Sequence, residues 1–239
     1  MSFTAIAELY DHINGSAYEP YALYLQNAFE KADIKVNEVL DLGCGTGAIA
    51  ALLADKGFDM VALDISPEML NFARERNFGK NTLLLCQDMC DFELYGTVQA
   101  VYSSFDCLNY INSGDLKQVF RLVRNYLEAG GIFAFDVNTE YRYLNVFDGK
   151  SYVYEVDDDM AVWRSAYSKD DEICVFDIDL FSENEDGTYS RLWEGQTQYL
   201  HSHEAIINAA QGFELLEATG GKGFDGCAEP EKTYYIFKK

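Results

Sequence analysis

The sequence predicts an α/β protein: a mostly parallel seven-stranded sheet with helices on both faces, an antiparallel final strand and an antiparallel β insertion. Three observations predict it. Short, nearly continuous apolar strands alternate with helical patterns between residues 36 and 137, as in parallel sheets covered on both faces. A glycine-rich turn, Gly43-Cys44-Gly45-Thr46-Gly47, follows the first of those strands. From 151 to 200 the pattern changes to apolar and polar residues in alternation, the mark of antiparallel strands with one wet face. At 239 residues, 49% hydrophobic and 15% aromatic, the chain is long enough for one well-buried domain with an embedded accessory unit.

Phe3 to Ala32 reads as helical in two pieces, broken near Asn14-Gly15 and Pro20, with Tyr10, Tyr18, Tyr21 and Tyr24 crowded together. Val39 to Leu42 is a buried strand, and Thr46 to Lys56 carries Ile49, Leu52 and Leu53 on one helical face. The next strand, Phe58 to Leu63, ends at Asp64. Ser66 caps a helix with Pro67 in its first turn and Met69, Leu70, Phe72 and Ala73 on its apolar side. Thr82 to Cys86 and Val98 to Ser103 are the third and fourth strands. A helix starts at Ser113, carries Leu116, Val119, Phe120, Val123 and Leu127, and is closed by Gly130-Gly131 before a fifth strand, Ile132 to Val137. In ICVFDIDLF, Cys174, Phe176, Ile178 and Leu180 share one side and Asp177 and Asp179 the other. Turn-like DDD (157–159), KDD (169–171) and NEDG (184–187) separate the runs of the insertion. Ser202 to Gln211 is helical again, and Phe213 to Thr219 and Thr233 to Phe237 are strands joined by the glycine-rich 220–226, as a wide hairpin or an open loop. The domain boundaries follow: a helical cap over 1–35, the parallel-sheet domain over 36–138 and 201–239, and an inserted antiparallel β unit over 139–200, either a lid or a dimerisation surface in a monomer or homodimer.

The 18 Lys plus Arg against 40 Asp plus Glu give a formal net charge of −22. That field repels nucleic acid and anionic membrane surfaces. Six scattered cysteines read as reduced thiols, and no basic leader or run of 18 apolar residues occurs, so the expected location is the cytoplasm.

The glycine turn leaves backbone bare at the carboxyl edge of the sheet, where a ligand approaches closely and helix N–H groups favour an anionic or dipolar end. Asp64, 21 residues after Gly43, sits at the tip of the second strand, where a carboxylate accepts both hydroxyls of an adenosine ribose. Spacing alone leaves two nucleoside cofactors open, because Gly43 to Ala48 also satisfies the dinucleotide pattern. An NAD-dependent oxidoreductase is therefore an alternative, disfavoured by the lack of a second mononucleotide-binding half.

VLDLGCGTG, with its aspartate two residues before the first glycine, closely resembles the cofactor loop of class I S-adenosylmethionine-dependent methyltransferases. ALDISPEML, the Asp88-Met89 pair and the segment ending near Phe105-Asp106 resemble later stations of that family, and SSFDCLNYI resembles a small-molecule subgroup with a tyrosine-rich N-terminal helix pair and a β insertion. The strand before it, VQAVYSS, departs from the usual strand-then-aspartate opening. The resemblance implies S-adenosyl-L-methionine as cofactor and a methyl group moved to a small-molecule acceptor by in-line displacement. It implies that Asp41, Gly43, Gly45 and Gly47 orient the methionyl end and that Asp64 holds the ribose. Asp88, Met89 and Ile65 would surround the adenine, with Met69 beside them, and Met89 reads equally well as core. Ser104 or Phe105 would line the methionyl arm, and Tyr10 and Tyr21 would close the cofactor from above.

Asp106, Asn109, Tyr110, Glu194 and His201 are the candidates for acceptor contact or proton acceptance. The acid excess tolerates a neutral or cationic acceptor such as an amine or small amide. In WEGQTQYLHSH, Glu194, Gln196 and Gln198 alternate onto one face of a regular strand, reaching over the pocket or forming a solvated sheet face. The His201/His203 pair completes no metal-ligand set, and His12 reads as a packed or surface side chain. A noncatalytic cofactor-binding or interaction protein is the remaining alternative.

Overall fold

The computed structural model describes residues 4–156, 159–184, 186–221 and 230–239. In chain order they form α1 (Thr4–Phe29), β1 (Glu38–Leu42), α2 (Ala48–Asp55), β2 (Asp59–Asp64), α3 (Pro67–Arg76), β3 (Thr82–Cys86) and β4 (Val98–Ser103). A 3-10 turn (Cys107–Tyr110), α4 (Ser113–Tyr126), β5 (Leu127–Asn138) and a short α5 (Glu140–Arg142) running into a π turn (Tyr143–Phe147) follow. The insertion is β6 (Ser151–Val156), β7 (Asp159–Ser168), β8 (Ile173–Glu183) and β9 (Tyr189–Tyr199). The chain closes with α6 (His203–Ala209), β10 (Glu214–Gly221) and β11 (Lys232–Lys238).

The main sheet has the order β10-β11-β5-β4-β1-β2-β3, with β11 antiparallel to both neighbours and β1 to β5 parallel. Chain direction across the sheet reverses between β1 and β4, and a crevice opens at the carboxyl ends of the strands there. Alternation along β1 sends Leu40 and Leu42 to the core under α4 and α6, and Val39 to the core under α1 and α2.

Three local expectations change. The N-terminal helix is continuous through Gly15 and Pro20, both exposed. Pro20 costs about 3 kcal/mol; Tyr21, Leu25 and Phe29, all buried against the sheet, each return about 1.5–3 kcal/mol, so packing decides. Gly130-Gly131 does not close α4, which ends at Tyr126 with Leu127 already extended. Both glycines lie in β5, where Gly130 N–H donates to the Lys239 carbonyl at 2.7 Å. Finally, Asp179 is buried on the outer face of the insertion, bracketed by Arg164 and Arg191, whereas Asp177 is exposed. Most of the 220–226 link lies outside the described residues, as do 157–158 and 185.

The β6-β7-β8-β9 sheet is an antiparallel meander whose inner residues Cys174, Phe176, Ile178 and Leu180 are buried. Leu180 and Ile178 pack with Leu9 of α1, and with Met69 of α3 and Trp163 at the margin. The insertion therefore folds back over the carboxyl edge of the main sheet. Among the described residues no helix is long and apolar enough to cross a membrane.

Candidate active site

The turn after β1 takes positive φ at Gly43 (78°), Gly45 (52°) and Gly47 (72°), the left-handed region that side chains resist. Their surroundings differ. A Cβ on Gly43 would stand 2.1 Å from Cys107 Sγ, so this glycine lets the turn press against the segment after β4. A Cβ on Gly45 would meet only the Tyr10 ring, at 3.9 Å across the cavity. Gly47 instead faces Ala73 of α3 and Asn77, its C-cap, and serves helix packing; it does not line the cavity.

Asp64 ends β2 and accepts from Gly45 N–H at 2.8 Å and from Ser66 N–H at 2.9 Å. One carboxylate thus ties the glycine turn to the start of α3, whose cap Ser66 accepts from Met69 N–H at 3.2 Å. Burial outweighs these bonds and pushes the Asp64 carboxyl above its usual range. From Gly45 and Asp64 runs a cavity of about 670 Å³, within the size range of small-molecule sites. Ile65, Met69, Asp88 and Met89 line it; Ile65 is 68% exposed, an apolar surface that no described residue covers. Met89 is at once cavity wall and core. Asp88 accepts from Cys90 N–H at 2.8 Å, closing a turn.

Asp41 lies beneath the turn, 1% exposed, and does not line the cavity. Tyr102 Oη donates to its Oδ2 at 2.6 Å, and its Oδ1 has no hydrogen-bond partner among the described residues. Burial, reinforced by the Asp64 charge and opposed by the Tyr102 hydrogen bond, pushes Asp41 up to about 8. In the unfolded chain it ionises near 3.8, so the fold holds a proton that the unfolded chain releases. Stability therefore falls as pH rises between those values. Asp41→Asn, neutral throughout, is expected to flatten the decline in Tm between about pH 4 and about pH 8 in scanning calorimetry; an equally steep decline would remove Asp41 as its source.

After β4 the chain makes an unusual bend: Phe105 and Asp106 both take φ of 55°. Each such residue costs about 1–3 kcal/mol. Asp136, fully buried in β5, offsets this by accepting both N–H groups, Phe105 on Oδ1 and Asp106 on Oδ2, at 2.8 Å each. Tyr21 Oη donates to Asp136 at 2.5 Å, and Lys232 of β11 bridges Asp136 at 2.6 Å and Asp106 at 2.5 Å. The bend turns Phe105 and Cys107 to the cavity and Asp106 away from it. Burial alone would raise the Asp106 carboxyl, but Lys232 holds it below the usual range.

Several expected site residues consequently belong to the frame. Asp106 is committed to Lys232 and to Gln198 Nε2, which donates to it at 2.7 Å. Asn109 is fully buried: its Nδ2 donates to the Tyr199 carbonyl at 2.8 Å and its Oδ1 accepts from Asn138 N–H at 2.9 Å. His201 bonds through Nε2 to the Leu108 carbonyl at 3.0 Å, and burial lowers its pKa. Tyr21 sits beneath Phe105, ring centroids 5.0 Å apart, and Ser104 is buried; neither lines the cavity. Tyr10, Tyr110 and Glu194 do. Glu194, Gln196 and Gln198 face inward as one polar row of β9: Gln196 Nε2 donates to Glu194 at 2.6 Å and Tyr110 Oη donates to Gln196 at 2.9 Å. That row is not a solvated face.

A methyltransferase domain model matches residues 39–131, spanning the glycine turn, Asp64 and the segment after β4. Over 246 aligned residues the chain is 28% identical to putative methyltransferase YqeM of Bacillus subtilis, covering 100% of this chain and 98% of that protein. The crystal structure of an S-adenosylmethionine-dependent methyltransferase from Clostridium acetobutylicum superposes with a TM-score of 0.86 at 25% identity, covering 99% of this chain and 98% of that one. This chain is a class I S-adenosylmethionine-dependent methyltransferase. A shorter match, 34% identical over 109 residues (44% of this chain, 42% of the relative), is to a dTDP-3-amino-3,6-dideoxy-alpha-D-glucopyranose N,N-dimethyltransferase of Streptomyces fradiae.

The methyltransferase's cavity suits its donor. S-adenosylmethionine carries a sulfonium and an ammonium, and the carboxylates of Asp64 and Asp88 face the cavity with no Lys, Arg or His among its described lining residues. A nicotinamide dinucleotide would need a second nucleotide-binding half beyond β5, where the methyltransferase has the antiparallel β10/β11 pair.

Two groups of the methyltransferase escape motif reading. Asp136 and Lys232 form the hub under Phe105; the available signal was a single acid inside the apolar run IFAFDVN, which a buried strand tolerates only when paired. Asp11 of α1 accepts from Thr46 Oγ1 and Tyr18 Oη, both at 2.7 Å, and pairs with Arg76 of α3 at 2.6 Å. That cluster clamps α1 and α3 onto the glycine turn.

Proposed function

We propose that this methyltransferase moves a methyl group from S-adenosylmethionine to a small-molecule acceptor enclosed by the β insertion. One observation carries the reading: a single cavity begins at Gly45 and Asp64 and ends at Tyr110 and Glu194, so donor and acceptor sites are continuous. Asp64 accepts the ribose hydroxyls, Asp88 the adenine amine, and Ile65, Met69 and Met89 cover the ring. Gly43 and Gly45 give the methionyl arm its passage, Phe105 and Tyr10 flank it, and Asp41 supports it from below. The donor is already activated, so the protein aligns the two reactants and excludes water. Residues 139–200 act as the lid of that reaction space and 1–35 as its cap, because the inner face of the insertion packs on α1 and α3 of the same chain.

Calorimetric titration with S-adenosylmethionine and with NAD tests the donor assignment, with heat expected from the first alone. Transfer of labelled methyl to a chemically diverse panel of small molecules tests the reaction. A protein that binds the donor tightly yet methylates no member of the panel, alone or in mixture, would count against the enclosed small-molecule acceptor.

A further inference from the structure

We infer that the acceptor is an amine, bound by its N–H groups to a wall whose hydrogen-bond direction is set by Glu194; the inference rests on the methyl-transfer reading above. An ionised carboxylate only accepts. Gln196 must therefore turn its Nε2 to Glu194, at 2.6 Å, which leaves its Oε1 toward Tyr110. Tyr110 Oη must then donate to that Oε1, at 2.9 Å. Gln198 also donates to Tyr110 Oη, so one lone pair of that hydroxyl remains for a ligand, as does the second Glu194 oxygen. The far end of the cavity thus presents acceptors, and the ligand must bring donors.

Charge narrows the class further. Asp64, Glu68, Asp88, Asp115 and Glu194 line the cavity, and among the described lining residues there is no Lys, Arg or His. Among the described residues the nearby cations are committed: Lys232 to Asp106 and Asp136, Arg76 to Asp11. A carboxylate, phosphate or nucleotide diphosphate on the acceptor would meet only like charge. An alcohol brings one donor and attacks well only once its proton has left, and the alkoxide so formed is disfavoured beside these carboxylates. An amine has the opposite demand. Its lone pair forms the N–C bond while the C–S bond breaks and that electron pair returns to sulfur. Positive charge then passes from sulfur to nitrogen, where Glu194 stabilises it and can take the N–H proton released afterwards. Trp163 adds an aromatic face suited to a cationic head.

Trp163 lines this cavity, so intrinsic fluorescence reads its occupancy. With S-adenosylhomocysteine filling the donor end, benzylamine, benzyl alcohol and benzoate form a matched set of probes. Benzylamine is expected to bind at least about tenfold more tightly than benzoate, with benzyl alcohol between them. Glu194→Gln should cut that ratio at least about threefold without changing S-adenosylhomocysteine affinity. Tyr110→Phe, which removes the oxygen and keeps the ring, should weaken benzylamine and leave benzoate unaffected. Benzoate binding as well as benzylamine, no binding by any probe, or an unchanged ratio in Glu194→Gln would each overturn the inference. Failure of S-adenosylhomocysteine itself to bind would instead overturn the donor reading.

Discussion

Asp64→Ala is expected to weaken S-adenosylmethionine binding by about 10- to 100-fold, the worth of one charge-assisted hydrogen bond at about 1.5–3 kcal/mol. The side chain has two tasks. It accepts from Gly45 and Ser66 N–H, which sets the turn, and it faces the cavity, where the ribose hydroxyls are assigned to it. Burial already raises its carboxyl pKa, so the ionised group is held at some cost, and removing it should shift Tm little. Isothermal calorimetry on the variant measures the first effect and a thermal scan the second. Unchanged affinity would remove the ribose assignment; a collapse of Tm would show that Asp64 serves the turn above all. Asp64→Asn, which keeps the shape without the charge, should fall between wild type and Ala.

Asp136→Ala should have the largest effect on stability. It leaves the Lys232 ammonium with only Asp106, leaves the Phe105 and Asp106 N–H groups without their acceptor, and removes an acceptor of Tyr21 Oη. Breaking a buried pair in this way costs about 3–5 kcal/mol, a large share of the 5–15 kcal/mol that typically holds a domain together. For a chain of this size that corresponds to a Tm lower by about 10 °C. Donor affinity should fall with it, because Phe105 reaches the cavity only while the bend is held. Asp136→Asn retains an acceptor for one of the two N–H groups and should lose less. Chemical denaturation of both variants measures the difference, and equal losses would show that charge, not geometry, is the contribution of Asp136.

The glycine turn, Asp64 and the Ser66 cap are legible because they lie within one contiguous stretch, where each residue's neighbours in space are its neighbours in sequence. By position Asp106 and Asn109, after β4 at the edge that carries the glycine turn, have the best case among Asp106, Asn109, His201 and Tyr110, yet only Tyr110 of these lines the cavity. What separates them is which way each side chain turns, and that depends on partners far away: Lys232 for Asp106, Tyr199 and Asn138 for Asn109, Leu108 for His201. Gly43, Gly45 and Gly47 look equivalent in the motif, yet only the packed structure shows that one meets Cys107, one the cavity and one α3. The helix through Pro20 follows the same rule, since propensity counts a lost hydrogen bond but not the sheet beneath Tyr21, Leu25 and Phe29.

By itself, then, the order of residues determined the alternation of strands and helices, the position of the bare turn and the acid that ends β2, because hydrophobic period and turn chemistry act over a few residues. Tertiary structure alone decided the Asp136–Lys232–Asp106 hub, drawn together from β5, β11 and the segment after β4, and the inward polarity of β9. Buried charges and hydrogen-bond directions take their values from whatever the completed fold places opposite them, and no local pattern carries that information.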